Sequence, residues 1–138
     1  MIIIAAVDDR NGMLFNNRRQ SQDSILRNYI MDMTGNSILR MNNYSFKQFA
    51  SVEEQSRIKV DEDFMAKAEN GEFCFIEDTP VLPYEEKIEK IILFKWNRTY
   101  PGDFYFDIDL SSKDWNMIET EEFAGSSHKK ITKEVYEK

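Results

Sequence analysis

The run Ile2-Ile3-Ile4-Ala5-Ala6-Val7 constrains the fold more than any other feature of the chain. Six apolar residues follow one another with no polar residue between them. A strand with one wet face alternates, so an unbroken run predicts a strand covered on both faces, inside a largely parallel sheet. Helices are the natural cover. Residues 23–34 supply one, because Ile25, Leu26, Tyr29, Ile30 and Met33 fall on a single stripe. Ser21 or Asp23 can accept hydrogen bonds from its first amides, and Gly35 suits its C-terminal turn. Further along, residues 37–41 read as a short strand and 44–49 as a short helix, while 52–59 are ambiguous. Residues 61–68 read as a helix and 72–76 as a buried strand. Two prolines break the pattern over 78–83, and 84–87 read as a helical turn. Residues 88–96, 104–108 and 115–123 read as strands. The tail from Ser126 fits a helix and a strand equally well. Residues 8–22 read as one long polar loop, a length often tied to function. This order predicts one α/β domain over 1–138, a three-layer sandwich with a mixed, mostly parallel sheet flanked by helices.

Composition narrows the function classes. Ten Phe, six Tyr and two Trp supply a core that a disordered chain lacks. A net charge of −7 repels a phosphate backbone, and Arg18-Arg19 is the sole pair of adjacent arginines, so nucleic acid is excluded as the main partner. One cysteine, Cys74, and one histidine, His128, allow neither an internal disulfide nor a four-ligand Cys/His zinc site. Cys74 lies in an apolar strand and reads as a core thiol. Tyr84, Phe94 and Trp96 also read as core. Ser126-Ser127-His128 has the composition of a nucleophile beside a base, but sequence neighbours seldom have the mutual geometry, and the segment reads as a turn or cap. No basic stretch precedes the apolar start, and no run approaches the ~20 residues that cross a bilayer. The expectation is a cytoplasmic protein with no membrane partner and no metal.

Several segments stand in a recognisable order. Ile4-Ala5-Ala6-Val7-Asp8 opens the chain, and Asn11-Gly12-Met13-Leu14-Phe15-Asn16-Asn17 follows. Ile38-Leu39-Arg40-Met41-Asn42-Asn43-Tyr44 comes next, then Phe75-Ile76-Glu77-Asp78 and Tyr84-Glu85. Ile91-Ile92-Leu93, Gly102-Asp103-Phe104-Tyr105-Phe106, Asp114-Trp115, Glu122-Phe123 and His128 complete the set. Over nearly its whole length the chain resembles the dihydrofolate reductase family. It is also similar to short bacterial proteins sometimes labelled ribonuclease Z, but that two-metal chemistry needs a histidine-rich cluster, and this chain has only His128.

The resemblance implies a pterin pocket and an NADPH site. In the pocket it implies Ala5 and Ala6 at the end of the first strand, and Asp23 as the carboxylate that anchors and helps protonate the pterin; the competing reading of Asp23 is a helix cap, and Ser24 fits the family position equally well. For the cofactor it implies Arg40, Met41, Ile76, Glu77, Asp78 and Tyr84. The departures matter more. The family's Leu-Pro-Trp segment is replaced by Arg19-Gln20-Ser21, so Arg18, Arg19, Gln20 and Gln22 instead offer donors to an anion. Asn42, Asn43 and Tyr44 offer contacts to a small polar ligand. The family's Gly-Gly pair is replaced by Glu77-Asp78. One carboxylate about 5 Å from a phosphate charge costs about 3 kcal/mol at an effective dielectric near 20. The segment between Phe49 and Val60 also looks shortened, where the family holds the glutamate tail of folate. The reading is a divergent member with degraded NADPH motifs, non-catalytic or repurposed to bind a small polar or anionic ligand or a protein, and with no cofactor. The alternative is an active NADPH-dependent reductase of dihydrofolate or a related pterin. A third is a structural subunit of a complex.

Overall fold

Residues 1–50 and 55–138 are described in the computed structural model. The elements, in chain order, are β1 (Ile2–Val7), β2 (Gly12–Phe15), β3 (Arg18–Arg19), α1 (Ser24–Thr34), β4 (Leu39–Met41), α2 (Asn43–Phe49), β5 (Ile58–Val60), α3 (Phe64–Lys67), β6 (Phe73–Ile76), β7 (Lys90–Lys95), β8 (Phe104–Tyr105), β9 (Asn116–Phe123) and β10 (Ile131–Glu137). Short 3-10 turns cover Gln55–Arg57 and Leu82–Lys87. The main sheet runs β5-β4-β6-β1-β7-β10-β9. Its first five strands are parallel, and β10 and β9 are antiparallel. The predicted mixed, mostly parallel α/β sheet is the one observed.

The apolar run explains its own placement. Ile3, Ala5 and Val7 point into one core, with Phe64, Met65, Ile91, Leu93 and Trp115. Ile4 points into the other, with Leu26, Ile30, Phe49, Phe75 and Phe94. α1 and α2 therefore cover one face, while α3 and the chain from Phe104 to Trp115 cover the other. A strand buried on both faces has no position for a polar side chain, and this is why the sequence does not alternate.

Three expectations are corrected, and one open alternative is settled. Residues 8–22 are not one loop: β2 and β3 pair, and β2 also pairs with β8 in a second, three-stranded sheet. Asn11, Asn16 and Asn17 turn the chain there with positive φ, which Asn tolerates through its short polar side chain. The expected helix over 61–68 shrinks to the single turn of α3. The strand expected over 104–108 shrinks to β8. The tail resolves as a strand, since β7 on one side and β9 on the other satisfy its backbone. Of the ambiguous stretch 52–59, residues 52–54 lie outside the described residues, and Ile58 begins β5.

No helix among the described residues is long and apolar enough to cross a membrane. Gly71, ahead of β6, has φ 80°, and an added Cβ would meet no atom within 4 Å. Gly71→Ala is therefore expected to lower stability by about 1–2 kcal/mol through backbone strain alone. A urea titration checks this as a fall in the midpoint with an unchanged slope.

Candidate functional site

One cleft opens on the α1/α2 side of the sheet, at the C-terminal ends of β1 and β6. Its apolar walls are Ala6, Leu26, Ile30, Phe49, Phe75 and Trp96, and its polar groups include Arg19, Ser21, Gln22, Asp23, Arg27, Gln48 and Glu77. Only a small part of it is wide enough for a free water, so a larger ligand enters only as side chains on its walls shift.

Asp23 caps α1. Its Oδ1 accepts from the N–H groups of Ile25, Leu26 and Ser126 at 3.0, 3.2 and 3.0 Å. Its Oδ2 accepts from the Ser127 N–H and hydroxyl at 2.9 and 3.1 Å, and lies 3.0 Å from His128 Nδ1. Burial by itself would raise the Asp23 pKa. The backbone donors of Ser126 and Ser127, the His128 ring and the Leu26 N–H outweigh burial and hold the carboxyl well below its ordinary range. An ionised carboxylate takes the Nδ1 proton as its hydrogen bond, and in that tautomer Nε2 is the ring's acceptor. Two hydroxyls meet that nitrogen, Ser21 Oγ and the Tyr100 OH, each at 3.1 Å. Trp96 stacks on the imidazole at 4.4 Å between centroids, 23° from parallel. Gly125 is required by this packing, because a Cβ there would collide with Asp23 Oδ2 and stand 2.8 Å from Ile131 Cδ1.

A second polar cluster lies at the end of β6. Arg19 grips Glu77 with both arms, Nε to Oε2 at 2.9 Å and Nη2 to Oε1 at 3.1 Å, and Gln48 Nε2 donates to Glu77 Oε2 at 2.9 Å. Beneath it, the Tyr44 ring lies 4.6 Å from the guanidinium carbon, and the Tyr44 hydroxyl accepts from the Arg19 N–H. Burial opposes the Arg19 charge, but the Glu77 hydrogen bonds and charge prevail and raise its pKa. Asp78 takes a 2.7 Å hydrogen bond from Asn42 Nδ2, and Asn42 also caps α2 through Ser45 N.

The structure brings Ala6, Arg19, Gln22, Asp23 and Glu77 to the cleft, with Tyr44 behind Arg19. The other candidates stand elsewhere. Ala5 points into the opposite core with Ile76, and Tyr84 packs there too. Met41 is buried among the α1/α2-side residues. Arg18 is exposed on β3 and Asn43 begins α2, its N–H donating to Glu62. Gln20 turns away to Asp8 and the Pro101 carbonyl. Arg40 pairs with Glu72 at 2.7 Å.

Sequence reading missed Ser21 as more than a cap, and it missed Arg27, Gln48 and Tyr100. Arg27 had a signal: it lies four residues after Asp23 and so shares its face of α1. It makes no ion pair and no side-chain hydrogen bond among the described residues. Ser126-Ser127-His128 was noticed by composition, but the hydroxyl at Nε2 comes from Ser21, 107 residues away in sequence.

No family model matches the sequence, and no curated protein matches it. A solved structure of the dihydrofolate reductase from Enterococcus faecalis, complexed with NADP(H) and RAB-propyl, is similar in fold, with a TM-score of 0.66 at 14% identity. The match covers 99% of this chain and 95% of that one. The chain thus has a dihydrofolate-reductase-like fold.

Proposed function

We propose that this protein uses the dihydrofolate-reductase-like frame to bind one small organic anion in the cleft, and does not run dinucleotide-dependent reduction. The observation that carries the reading is the Arg19–Glu77–Gln48 cluster at the end of β6. A dinucleotide diphosphate is normally held by backbone N–H groups at positions without obstructing side chains. Here Glu77 and Asp78 stand at that end of the strand, Glu77 held by Arg19 and Gln48 and Asp78 by Asn42. Arg19 offsets the Glu77 charge, so what opposes a diphosphate is the bulk of these side chains together with the Asp78 carboxylate, and the narrow cleft as it stands leaves no room for a nicotinamide beside a pterin. NADPH therefore does not fit the residues present.

What the cleft offers instead is an apolar lining with Arg27 on its wall, whose charge has no partner among the described residues. That combination suits an aromatic or aliphatic carboxylate. A second reading, an NADPH-dependent pterin reductase, draws on the NADP(H) in the Enterococcus faecalis structure and on Asp23 at the start of α1. Asp23, with six hydrogen bonds already made, has little capacity left for a pterin.

Thermal melts separate the two. Saturating 4-nitrobenzoate is expected to raise the melting midpoint by several degrees, since a ligand at a hundred times its Kd adds about 2.7 kcal/mol. Arg27→Ala removes that shift. NADPH at 1 mM leaves the midpoint unchanged, whereas a site with a Kd of ~10 μM would gain about 2.7 kcal/mol at that concentration. A rise of several degrees with NADPH overturns the reading.

A further inference from the structure

We infer that Ser21, His128 and Asp23 form a nucleophile–base–positioning relay able to cleave small carboxylic esters in the cleft. This deepens the anion-binding reading and rests on it for access of the substrate. The geometry has three links. Ser21 Oγ is 3.1 Å from His128 Nε2, and His128 Nδ1 is 3.0 Å from Asp23 Oδ2. Asp23 is itself fixed by the four backbone N–H groups of Ile25, Leu26, Ser126 and Ser127. Nucleophilic serines are recognised by this mutual arrangement, whatever the order of the residues in the chain.

The surroundings fit the chemistry. Ser21 and Asp23 line the cleft, whereas His128 is 4% exposed and held flat by Trp96. The imidazole thus reaches the cleft through the serine. A carboxylate on Nδ1 leaves the second ring nitrogen in need of a partner of its own. Here the far nitrogen is aimed at a half-buried hydroxyl on the cleft wall. Arg27 supplies positive charge in the same cleft, and the Gln22 N–H, which makes no hydrogen bond among the described residues, follows the serine directly in the chain.

The reaction balances without a cofactor. Ser21 Oγ attacks the ester carbonyl carbon, and its proton passes to His128 Nε2. The carbon–oxygen bond to the alcohol breaks, and the alcohol leaves with that proton. Water then gives a proton to Nε2 and attacks the acyl group on Ser21, the acid departs, and the proton returns to Oγ. Asp23 is a positioning residue: it holds the ring in the tautomer that leaves Nε2 free. Tyr100 shares Nε2 with Ser21 and competes with it for the lone pair.

Diisopropyl fluorophosphate tests the relay directly, because attack by Oγ on phosphorus expels fluoride and leaves a stable adduct. The full chain is expected to take up one diisopropylphosphoryl group, mapped by peptide mass to Ser21. Ser21→Ala abolishes it with an unchanged melting midpoint. His128→Gln slows it at least about a hundredfold, the usual share of a general base. Should His128→Gln fail to fold, Tyr100→Phe provides a second readout: removing the hydroxyl that competes for Nε2 speeds labelling. No adduct, an adduct on Tyr100, Ser126 or Ser127, or labelling of Ser21 indifferent to both His128 and Tyr100 overturns the proposal. If labelling fails while 4-nitrobenzoate still raises the melting midpoint, the anion site stands and the relay falls. If labelling succeeds without that shift, the reverse holds.

Discussion

Asp23→Asn is expected to destabilise the protein by about 3–5 kcal/mol, the range for removing one partner of a buried charged pair. For a chain of this size that is a fall in melting midpoint of about 10–20 °C. The carboxylate is 3% exposed and accepts from four backbone N–H groups, a hydroxyl and the imidazole. An amide at the same place turns two N–H donors toward other donors and leaves buried groups without acceptors. The sign with pH follows from the depressed pKa. The contribution of Asp23 is complete above its ordinary value of 3.8, and it is lost as pH falls below 3.8 through the lower folded-state value. Wild-type and Asp23→Asn stabilities, measured by urea titration, should therefore differ most near neutrality and converge in strong acid. A constant difference across that range would show that the charge of Asp23 is not what holds the 125–128 segment to α1.

Glu77→Gln is expected to tighten binding of 4-nitrobenzoate by about thirty- to a hundredfold. Glu77 neutralises Arg19 today, so the pair presents no net charge to the cleft. Replacing the carboxylate leaves a cation beside the slot. At about 5 Å and an effective dielectric near 20 that is worth about 3 kcal/mol, and the open mouth lowers it toward 2. Stability should fall by about 1–3 kcal/mol, since the half-buried guanidinium loses its charged acceptor. Isothermal titration gives the first number and urea titration the second. An unchanged Kd would mean that the ligand does not sit near Arg19.

Neither effect is visible from the residues in line. The Glu77-Asp78 pair stands out in the sequence as two acids where the resembling family has glycines, and the structure places Glu77 on the cleft wall and Asp78 against Asn42. Their partners are not legible in the sequence. By sequence Arg19 offers donors to an anion, yet its charge is spent on Glu77, 58 residues away in sequence. By sequence Arg40 offers attraction to a phosphate, yet it faces Glu72 across neighbouring parallel strands. Asp23 was open between a cap and an acid, and the structure shows that it caps while also receiving the 125–128 turn.

What the sequence determined alone is the frame. Continuous apolarity over β1 demands cover on both faces, helical spacing over α1 supplies some of it, and the short-range periodicities of strands and helices are written locally. What only the tertiary structure decided is how the charges are matched. Side chains separated by 25 to 107 residues meet at the strand ends, and burial there makes each pairing strong or forbidden. Local pattern reports which face of an element is dry. It carries no record of which distant partner will stand opposite, because that is set by the spatial order of the strands in the sheet.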